Sequence, residues 1–324
     1  MVEGEEAVSK AWPLTELNWV CPRCKQTLEK MEFSYDCTSC AESYPMAAGS
    51  IPCLLVESDA LETMEHKAQK EAVKEMFTSF NRALEQNGVS RFSTFINWGY
   101  AEAEDENEAA SSLPRGVNHQ SLRLLQEIMN GVDVQGKDVL EIACGRGGNV
   151  RALCKSYGPR SVAGLDLTEA NIAFCLAGNR YEQATFCVGD AEELPLPDGC
   201  CDIVLNIESS DLYPRITRFY DEVFRVLKVG GLFVYADDLD ALKFEKGERY
   251  LLELGFEMSL SRDISEHALL ASDLARGSRL AALGDALGKE DAVWETMGVP
   301  GTSIYDDMHS GKRRYKILHL KKKV

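Results

Sequence analysis

Three acidic side chains stand at the ends of consecutive short apolar segments, where they could act on one ligand. They are Glu141 in VLEIACGRGGN, Asp166 in GLDL and Asp190 in VGD. Glu141 suits a cationic amino group, Asp166 can accept hydrogen bonds from ribose hydroxyls, and Asp190 can accept one from an exocyclic adenine amine. Because the carboxyl ends of parallel strands line one crevice of an open α/β sheet, we predict that the three acids converge.

The glycine loop after Glu141 narrows the choice of ligand. Gly145 and Gly147 follow a strand and precede a helix, a setting in which backbone N–H groups receive a polar ligand. The dinucleotide fingerprint fails because its third glycine position is Val150, and no lysine and hydroxyl follow as a P-loop requires. An amino acid, a ribose and an adenine occur together in S-adenosylmethionine, which we predict as the cofactor.

The elements that would position these acids alternate along the chain. The strand-like segments KDVLEIAC, SVAGLDL, ATFCVGD, CDIVLNI and LFVYADD are interleaved with amphipathic helical segments. This alternation predicts an α/β fold with a doubly wound parallel sheet. We predict a flexible tail over 1–16, a cysteine-rich unit over 17–57, a helical linker and cofactor-covering segment over 58–115, and the main domain over 116–324.

Over roughly residues 70–322 these features resemble the class I S-adenosylmethionine-dependent methyltransferases, which implies their Rossmann-like seven-stranded sheet. The resemblance implies that Glu141 and the glycine loop hold the methionine part, Asp166 the ribose, and Asp190 the adenine. Alanine at 143 departs from the family's usual glycine and fits if its φ is negative. The full implied cofactor set is Trp98, Gly99, Tyr100, Glu141, Ala143, Gly145, Gly147, Asn149, Asp166, Leu167, Asp190, Ala191 and Asn206.

Further segments resemble small-molecule methyltransferases that act on phenolic, polyketide, sugar or lipid hydroxyls. They are FINWGYAE, NIESSDLYP, SRDISEHALLA and the C-terminal GVPGTSIYDDMHSGKRRYKILHLKKK. The resemblance implies that NWGY covers the cofactor and that a lid lies near residues 264–270. Similar proteins often carry a catalytic histidine where this chain has Asp211, so we predict that Asp237 and Asp211 orient or deprotonate the acceptor. His267 in the lid and His119 are alternative bases.

Four cysteines form two C-x-x-C pairs, Cys21 with Cys24 and Cys37 with Cys40, separated by twelve residues. This spacing predicts a closed, structural Zn²⁺ site. The unit resembles small zinc-ribbon proteins that partner methyltransferases, which implies a protein partner. Zinc ribbons are also fused to methyltransferases of ribosomal RNA guanine, so an RNA methyltransferase is one alternative function. A catalytically weak, cofactor-binding partner subunit is another.

Composition weighs against nucleic acid as the partner. The 324-residue chain has a net charge of -17, and phosphate binding depends on clustered Lys and Arg. The first residues carry no apolar segment typical of a leader peptide, and no run of about 18 apolar residues predicts a membrane span. Eleven cysteines, many in apolar segments, are typical of a reducing compartment. We therefore expect a cytoplasmic enzyme with a small-molecule acceptor.

Overall fold

The computed structural model describes residues 18–47, 51–56, 62–103, 118–284 and 292–323. The predicted tail over 1–16 lies outside the described residues, as does much of the acidic stretch that follows the NWGY segment. The strands are β1 (Glu29–Lys30), β2 (Ser34–Asp36), β3 (Ser43–Ala47), β4 (Ile51–Leu54), β5 (Asp138–Ile142), β6 (Ser161–Asp166), β7 (Ala184–Gly189), β8 (Cys201–Ile207), β9 (Leu227–Asp240), β10 (Phe256–Asp263) and β11 (Arg313–Lys322).

The helices lie before, between and after these strands. They are α1 (Met64–Gln86), α2 (His119–Ile128), α3 (Gly148–Ser156), α4 (Glu169–Gly178), α5 (Ile216–Val226), α6 (Ala241–Leu254), α7 (Ser265–Leu283), α8 (Ala292–Thr296) and α9 (Ser303–Ser310). Strands β5, β6 and β7 are buried along their whole length, as expected for a parallel sheet covered on both faces. Among the described residues, no helix is both long and apolar enough to span a bilayer.

The sheet confirms the predicted Rossmann-like α/β class. Its strand order is β1-β2-β3-β4-β7-β6-β5-β8-β9-β11-β10. Neighbours from β4 to β9 are parallel where they pair, and β11 runs antiparallel between β9 and β10. The reversal of strand order between β5 and β8 opens a crevice at the carboxyl ends, which is where ligands bind in such sheets.

The prediction of a seven-stranded sheet is wrong: strands β5 to β11 account for seven strands, and the sheet contains others besides. The cysteine-rich unit does not stand apart: its apolar strand β4 adds to the sheet beside β7, with Cys53 opposite Val188 and Leu54 opposite Gly189. Leu54 is completely buried there. The four strands of this unit therefore extend the sheet to eleven in the described part of the chain.

Candidate active site

A cleft of about 760 Å³ opens at the carboxyl ends of β5 to β8. Of the residues predicted from the sequence, six line this cleft: Ala143, Gly145, Asp166, Leu167, Asp190 and Ala191. Further lining residues were not predicted, and they include Lys70, Ile96, Thr168, Glu192, Glu208, Ser209 and Tyr213. Of the three acids predicted to converge, Asp166 and Asp190 line this cleft, whereas Glu141 is not among its lining residues.

The loop after β5 turns through three residues with left-handed backbones. Ala143 has φ 55°, Gly145 has φ 51° and Gly147 has φ 71°. The expectation of a negative φ at Ala143 is therefore wrong, and a side chain in this region costs about 1–2 kcal/mol. At Gly147 a Cβ atom would also lie 2.9 Å from the Cys175 Sγ, so glycine is required there for space as well.

Asp166 ends β6 and holds the glycine loop from the side. Its Oδ2 accepts a hydrogen bond from the Gly145 N–H at 2.9 Å, and its Oδ1 accepts from the Thr168 N–H and the Asn171 amide. Burial raises the pKa of this carboxyl, while these donors act in the opposite direction. The carboxylate is thus fixed at the cleft wall with one acceptor position, on Oδ2, left for a ligand.

Glu141, Asn149 and Asn206 lie deeper than the lining residues. The Glu141 Oε1 accepts from the Asn149 amide at 2.7 Å, and burial raises the Glu141 pKa to about 8. The Asn206 amide donates to the Ile142 carbonyl and the Ser209 hydroxyl. Glu141 Oε2, Asn149 Oδ1 and Asn206 Oδ1 are buried without a partner among the described residues. Unpaired buried acceptors of this kind suit a ligand that donates hydrogen bonds.

Asp190, which follows β7, is neutralised by a lysine from a distant helix. The Lys70 Nζ on α1 lies 2.6 Å from Asp190 Oδ2, 2.6 Å from Glu62 and 2.8 Å from Glu192. These charges raise the pKa of Lys70 despite its burial. The three acids lie close enough together to suggest a metal site, but the lysine ammonium already occupies their centre.

The predicted aromatic cover lies beside the cleft rather than in its wall. Trp98 is fully buried and donates its backbone N–H to both Glu208 oxygens. Gly99 has φ 87° and leaves no space for a side chain beside Gln120. The Tyr100 ring stacks on His267 at 4.4 Å. Of this segment, Ile96 is the residue that lines the cleft.

A smaller cavity of about 320 Å³ adjoins the cleft and shares Glu208, Ser209, Leu212 and Thr296 with it. Its remaining lining residues are Asp211, Asp237, Asp238, Ile304 and Arg313. The cavity thus brings together the two predicted catalytic acids, Asp237 and Asp211, with two acids that were not predicted. Its position next to the cofactor cleft makes it the place where an acceptor group could meet the cofactor.

Asp237 is already fully used as an acceptor. Its Oδ2 receives the backbone N–H groups of Ser209 and Ser210 and the Ser210 hydroxyl at 2.6 Å, and its Oδ1 receives the Asp238 N–H. Burial raises the Asp237 pKa to about 6. This pattern is that of a side chain that shapes the loop after β8.

Asp211 is paired with cations, and His267 points elsewhere. The Asp211 carboxylate contacts the Arg313 guanidinium and lies 2.7 Å from the Lys243 ammonium. The His267 Nδ1 hydrogen-bonds the Ala101 carbonyl at 2.9 Å. In the described part of the chain, His267 lines neither the cleft nor the adjoining cavity.

Glu208 is the acid that sequence reasoning missed. It follows β8 directly, has φ 50°, and lines both the cleft and the adjoining cavity. The Tyr315 hydroxyl donates to its Oε1 at 2.6 Å, and burial raises its pKa to about 8. Because an efficient general base has a pKa near the working pH, Glu208 is better suited to take a proton than an ordinary carboxylate.

The four cysteines of the N-terminal unit lie together as predicted. The Cys21 and Cys40 sulfurs are 3.6 Å apart, the Cys24 and Cys37 sulfurs are 3.4 Å apart, and all four lie within 4.8 Å of one another. Four sulfurs at Zn–S bonds of about 2.3 Å would have this close spacing. The cluster therefore has the donor set and size of a closed zinc site.

The unit that carries these cysteines packs on the loop that follows Asp190. The Val20 N–H donates to the Pro195 carbonyl at 2.9 Å. The Lys25 ammonium donates to the Leu194 carbonyl at 3.1 Å and to Glu222 at 3.0 Å. The surface touched by the cysteine unit is therefore that of the main domain itself, next to the cofactor cleft.

Comparison with known proteins agrees with this geometry. A family model described as "Methyltransferase domain" matches residues 140–235. A fatty-acid O-methyltransferase from Mycolicibacterium smegmatis is 36% identical over 199 residues, covering 61% of this chain and 71% of the relative. A phthiotriol/phenolphthiotriol dimycocerosates methyltransferase from Mycobacterium tuberculosis is 34% identical over 233 residues, covering 69% of this chain and 83% of the relative.

Solved structures share the fold at low sequence identity. A cyclopropane synthase from Mycobacterium tuberculosis matches with a TM-score of 0.60 and 15% identity, covering 82% of this chain and all of that chain. A geranyl diphosphate C-methyltransferase from Streptomyces coelicolor matches with a TM-score of 0.58 and 14% identity, covering 78% of this chain and 98% of the other.

Proposed function

Since this chain belongs to the S-adenosylmethionine-dependent methyltransferases, we propose that it methylates a hydroxyl oxygen of a lipid-like or polyketide-like small molecule. The observation that carries the proposal is Glu208, a carboxylate with a raised pKa at the junction of the cofactor cleft and the adjoining cavity. The names of the relatives, a fatty-acid and a phthiotriol methyltransferase, support the acceptor class.

We assign the cofactor contacts to residues whose free polar groups fit it. Asp166 would accept from the ribose hydroxyls, and the unpaired Glu141 Oε2 would face the cationic methionine end. The Asp190 and Lys70 pair would meet the adenine edge, with the Ala191 N–H beside it. When bound, S-adenosylmethionine supplies an electrophilic methyl group on its sulfonium.

The protein's own contribution is alignment and proton removal. Alignment of the acceptor with the methyl group can contribute about 7–11 kcal/mol, and a general base contributes roughly 100- to 10,000-fold in rate. Glu208 would take the hydroxyl proton on the oxygen not engaged by Tyr315. Asp237 would position Ser209 and Ser210, and Asp211 would hold Arg313 at the edge of the cavity.

A labelled-methyl assay tests the proposed function. The protein is incubated with radiolabelled S-adenosylmethionine and a cell extract, which is then separated into lipid, small polar, RNA and protein fractions. We expect label in the lipid fraction, and its loss with Asp166→Ala, which should weaken cofactor binding roughly 10- to 100-fold by removing charge-assisted hydrogen bonds. Label confined to RNA would instead favour the ribosomal RNA alternative, and cofactor binding without any label would favour a partner subunit.

We further propose that Cys21, Cys24, Cys37 and Cys40 hold a structural Zn²⁺ ion. The spacing of the four sulfurs and the absence of a nitrogen or oxygen ligand in this donor set support a closed site. Elemental analysis of the purified protein should find one zinc per chain, and Cys40→Ser should lower that content. Cobalt substitution would report tetrahedral thiolate ligation through its visible absorption.

A further inference from the structure

A second large cavity lies behind the cofactor cleft and is not used by the chemistry above. It measures about 1,070 Å³, part of which is open to solvent, and lies between α1, the segment 89–98, the start of α2, and α7. Much of its wall is apolar and comes from Phe80, Leu84, Val89, Phe92, Phe95, Leu283 and Met297. The wall suits a hydrocarbon chain.

The cavity opens to solvent beside an apolar side chain with a cation above it. Phe92 lines the cavity and is nevertheless 47% exposed. The Arg91 guanidinium lies 4.4 Å from the centre of the Phe92 ring. An entrance of this composition would accept a molecule that is apolar along its length and anionic at one end.

Inside the cavity, the Arg279 guanidinium is held by neutral hydrogen-bond acceptors. Its guanidinium donates to the Ser272 hydroxyl and to the carbonyls of Met297, Asn97 and Trp98, all of which are neutral acceptors. Among the described residues, no carboxylate lies within ion-pair distance of it. Burial lowers the Arg279 pKa to about 10, and the acid that acts on it, Glu208, has a pKa of about 8 and is largely uncharged at neutral pH.

Two further polar groups that line the cavity lack partners. Asn97 Oδ1 and Trp98 Nε1 are buried and have no hydrogen-bond partner in the described part of the chain. An unpaired buried polar atom costs about 1–3 kcal/mol, which a ligand can recover. The Trp98 N–H can donate to a carboxylate, as can the Nε–H of Arg279.

We propose that this cavity binds a long-chain carboxylic acid, with the chain on the apolar wall and the carboxylate at Arg279 and Trp98. This inference extends the proposed function. Binding of the acid does not depend on that function, but a link between the bound acid and methyl transfer does. The partition between the two spaces is thin, because Ile96 and Thr296 face the cofactor cleft while their neighbours Asn97 and Met297 face the cavity. The bound acid is thus either the acceptor or a non-reacting lipid next to the active site.

Calorimetric titration with octanoate, decanoate and dodecanoate tests the site. We expect affinity to rise about fourfold for each added methylene until the cavity is full, and dodecanol to bind at least tenfold more weakly than dodecanoate. Arg279→Met should weaken dodecanoate binding at least tenfold. Arg276→Met is the matched control, because Arg276 is exposed on the same helix and lies outside the cavity lining, and it should leave binding unchanged.

A second variant is needed because Arg279→Met could also misfold: the Arg279 guanidinium hydrogen-bonds several backbone carbonyls, and the substitution removes those bonds. Ala282→Phe narrows the cavity and keeps the guanidinium, and it should weaken dodecanoate binding more than octanoate binding. Equal affinity for the three acids, or equal effects of Arg279→Met and Arg276→Met, would overturn the inference. Binding of S-adenosylhomocysteine to the parent protein is measured in parallel. If the parent protein does not bind it, the proposed function is wrong, and the inference about the fatty-acid site is unaffected. Label recovered as the methyl ester of the bound acid identifies its carboxylate as the acceptor in place of a hydroxyl, and binding without label identifies a non-reacting lipid.

Discussion

Glu208 is the proposed proton acceptor, and its replacement by Gln tests this role directly. Replacement by Gln keeps the size of the side chain and an oxygen for Tyr315 and Trp98, but removes the ability to take a proton. If Glu208 is the base, Glu208→Gln should lower kcat by roughly 100- to 10,000-fold, the usual contribution of general base catalysis. Binding of S-adenosylhomocysteine should change by less than about threefold, because no cofactor contact is assigned to this carboxylate.

The pH dependence gives a second, independent measure of the same group. A carboxyl with a pKa of about 8 is ionised in roughly a tenth of the molecules at pH 7 and in most of them at pH 9. The kcat of the parent enzyme should therefore rise about tenfold between these pH values, and Glu208→Gln should remove the rise. The assay is initial-rate methyl transfer to the lipid acceptor across pH 6 to 10.

Whereas kcat should rise with pH, the contribution of Glu208 to the stability of the folded protein should fall as the pH rises. Burial holds the pKa of Glu208 above its ordinary value of 4.5, so the folded state binds its proton more tightly than the unfolded state does. The resulting stabilisation is fully present below about pH 4.5 and is lost as the pH rises through about 8. Glu208→Gln should reduce this loss in denaturant titrations, since its neutral amide does not ionise.

Asp211→Asn is the matched control, because Asp211 faces the same cavity but is held by Arg313 and Lys243. It should leave the pH profile in place and lower kcat by less than about tenfold. The assignment of Glu208 is refuted if Glu208→Gln keeps a third or more of the parent kcat, or if the rise between pH 7 and pH 9 persists in that variant.

Three further predictions address the rest of the site. Lys70→Met should destabilise the protein by about 3 kcal/mol and weaken cofactor binding, because Asp190 loses its counter-charge and Glu192 loses one of its two. The control is Lys74→Met, one turn along α1, where Lys74 pairs with the exposed Glu71; it should change neither stability in thermal melts nor affinity in titrations. Ala143→Gly should raise stability by up to about 1 kcal/mol in denaturant unfolding, since φ is 55° there. Removal of zinc by a chelator should raise the Kd for S-adenosylhomocysteine at least fivefold in calorimetry, and an unchanged Kd would contradict a role for the ribbon in cofactor binding.

The sequence predicted the parts of the site that depend on strand ends. Asp166 and Asp190 each terminate or follow an apolar segment, so the rule that carboxyl ends of parallel strands meet was sufficient to bring them together. Lys70 could not be found in this way, because it lies 120 residues before Asp190 on a charged amphipathic helix with no local signal. Its position depends on how α1 docks, which is a property of tertiary packing.

The position of Glu208 directly after a predicted strand was enough to make it a candidate site residue. It follows β8 in the same way that Asp190 follows β7. The sequence analysis predicts a catalytic role for Asp211, three residues later, because similar proteins often have a histidine at that position. What separates the two acids is their hydrogen-bond partners: Glu208 receives only neutral donors, whereas Asp211 is paired with two cations. This pairing depends on Arg313 and Tyr315, which are about 100 residues away in sequence.

The cysteine unit supports the cleft through strand β4, while its four clustered cysteines are not among the residues that line the cleft in the described part of the chain. Strand β4 pairs with β7 up to Gly189, the residue before Asp190, and so covers what would otherwise be an exposed sheet edge at the Asp190 end of the cleft. Val20 and Lys25 hold the next residues of the same loop. If zinc orders this unit, then zinc and cofactor stabilise the same loop, and linkage requires the effect to be reciprocal. Bound S-adenosylhomocysteine should therefore slow the release of zinc to a chelator. If the rate constant for zinc association with the protein is unchanged, the release should slow by about the factor by which zinc lowers the Kd of S-adenosylhomocysteine.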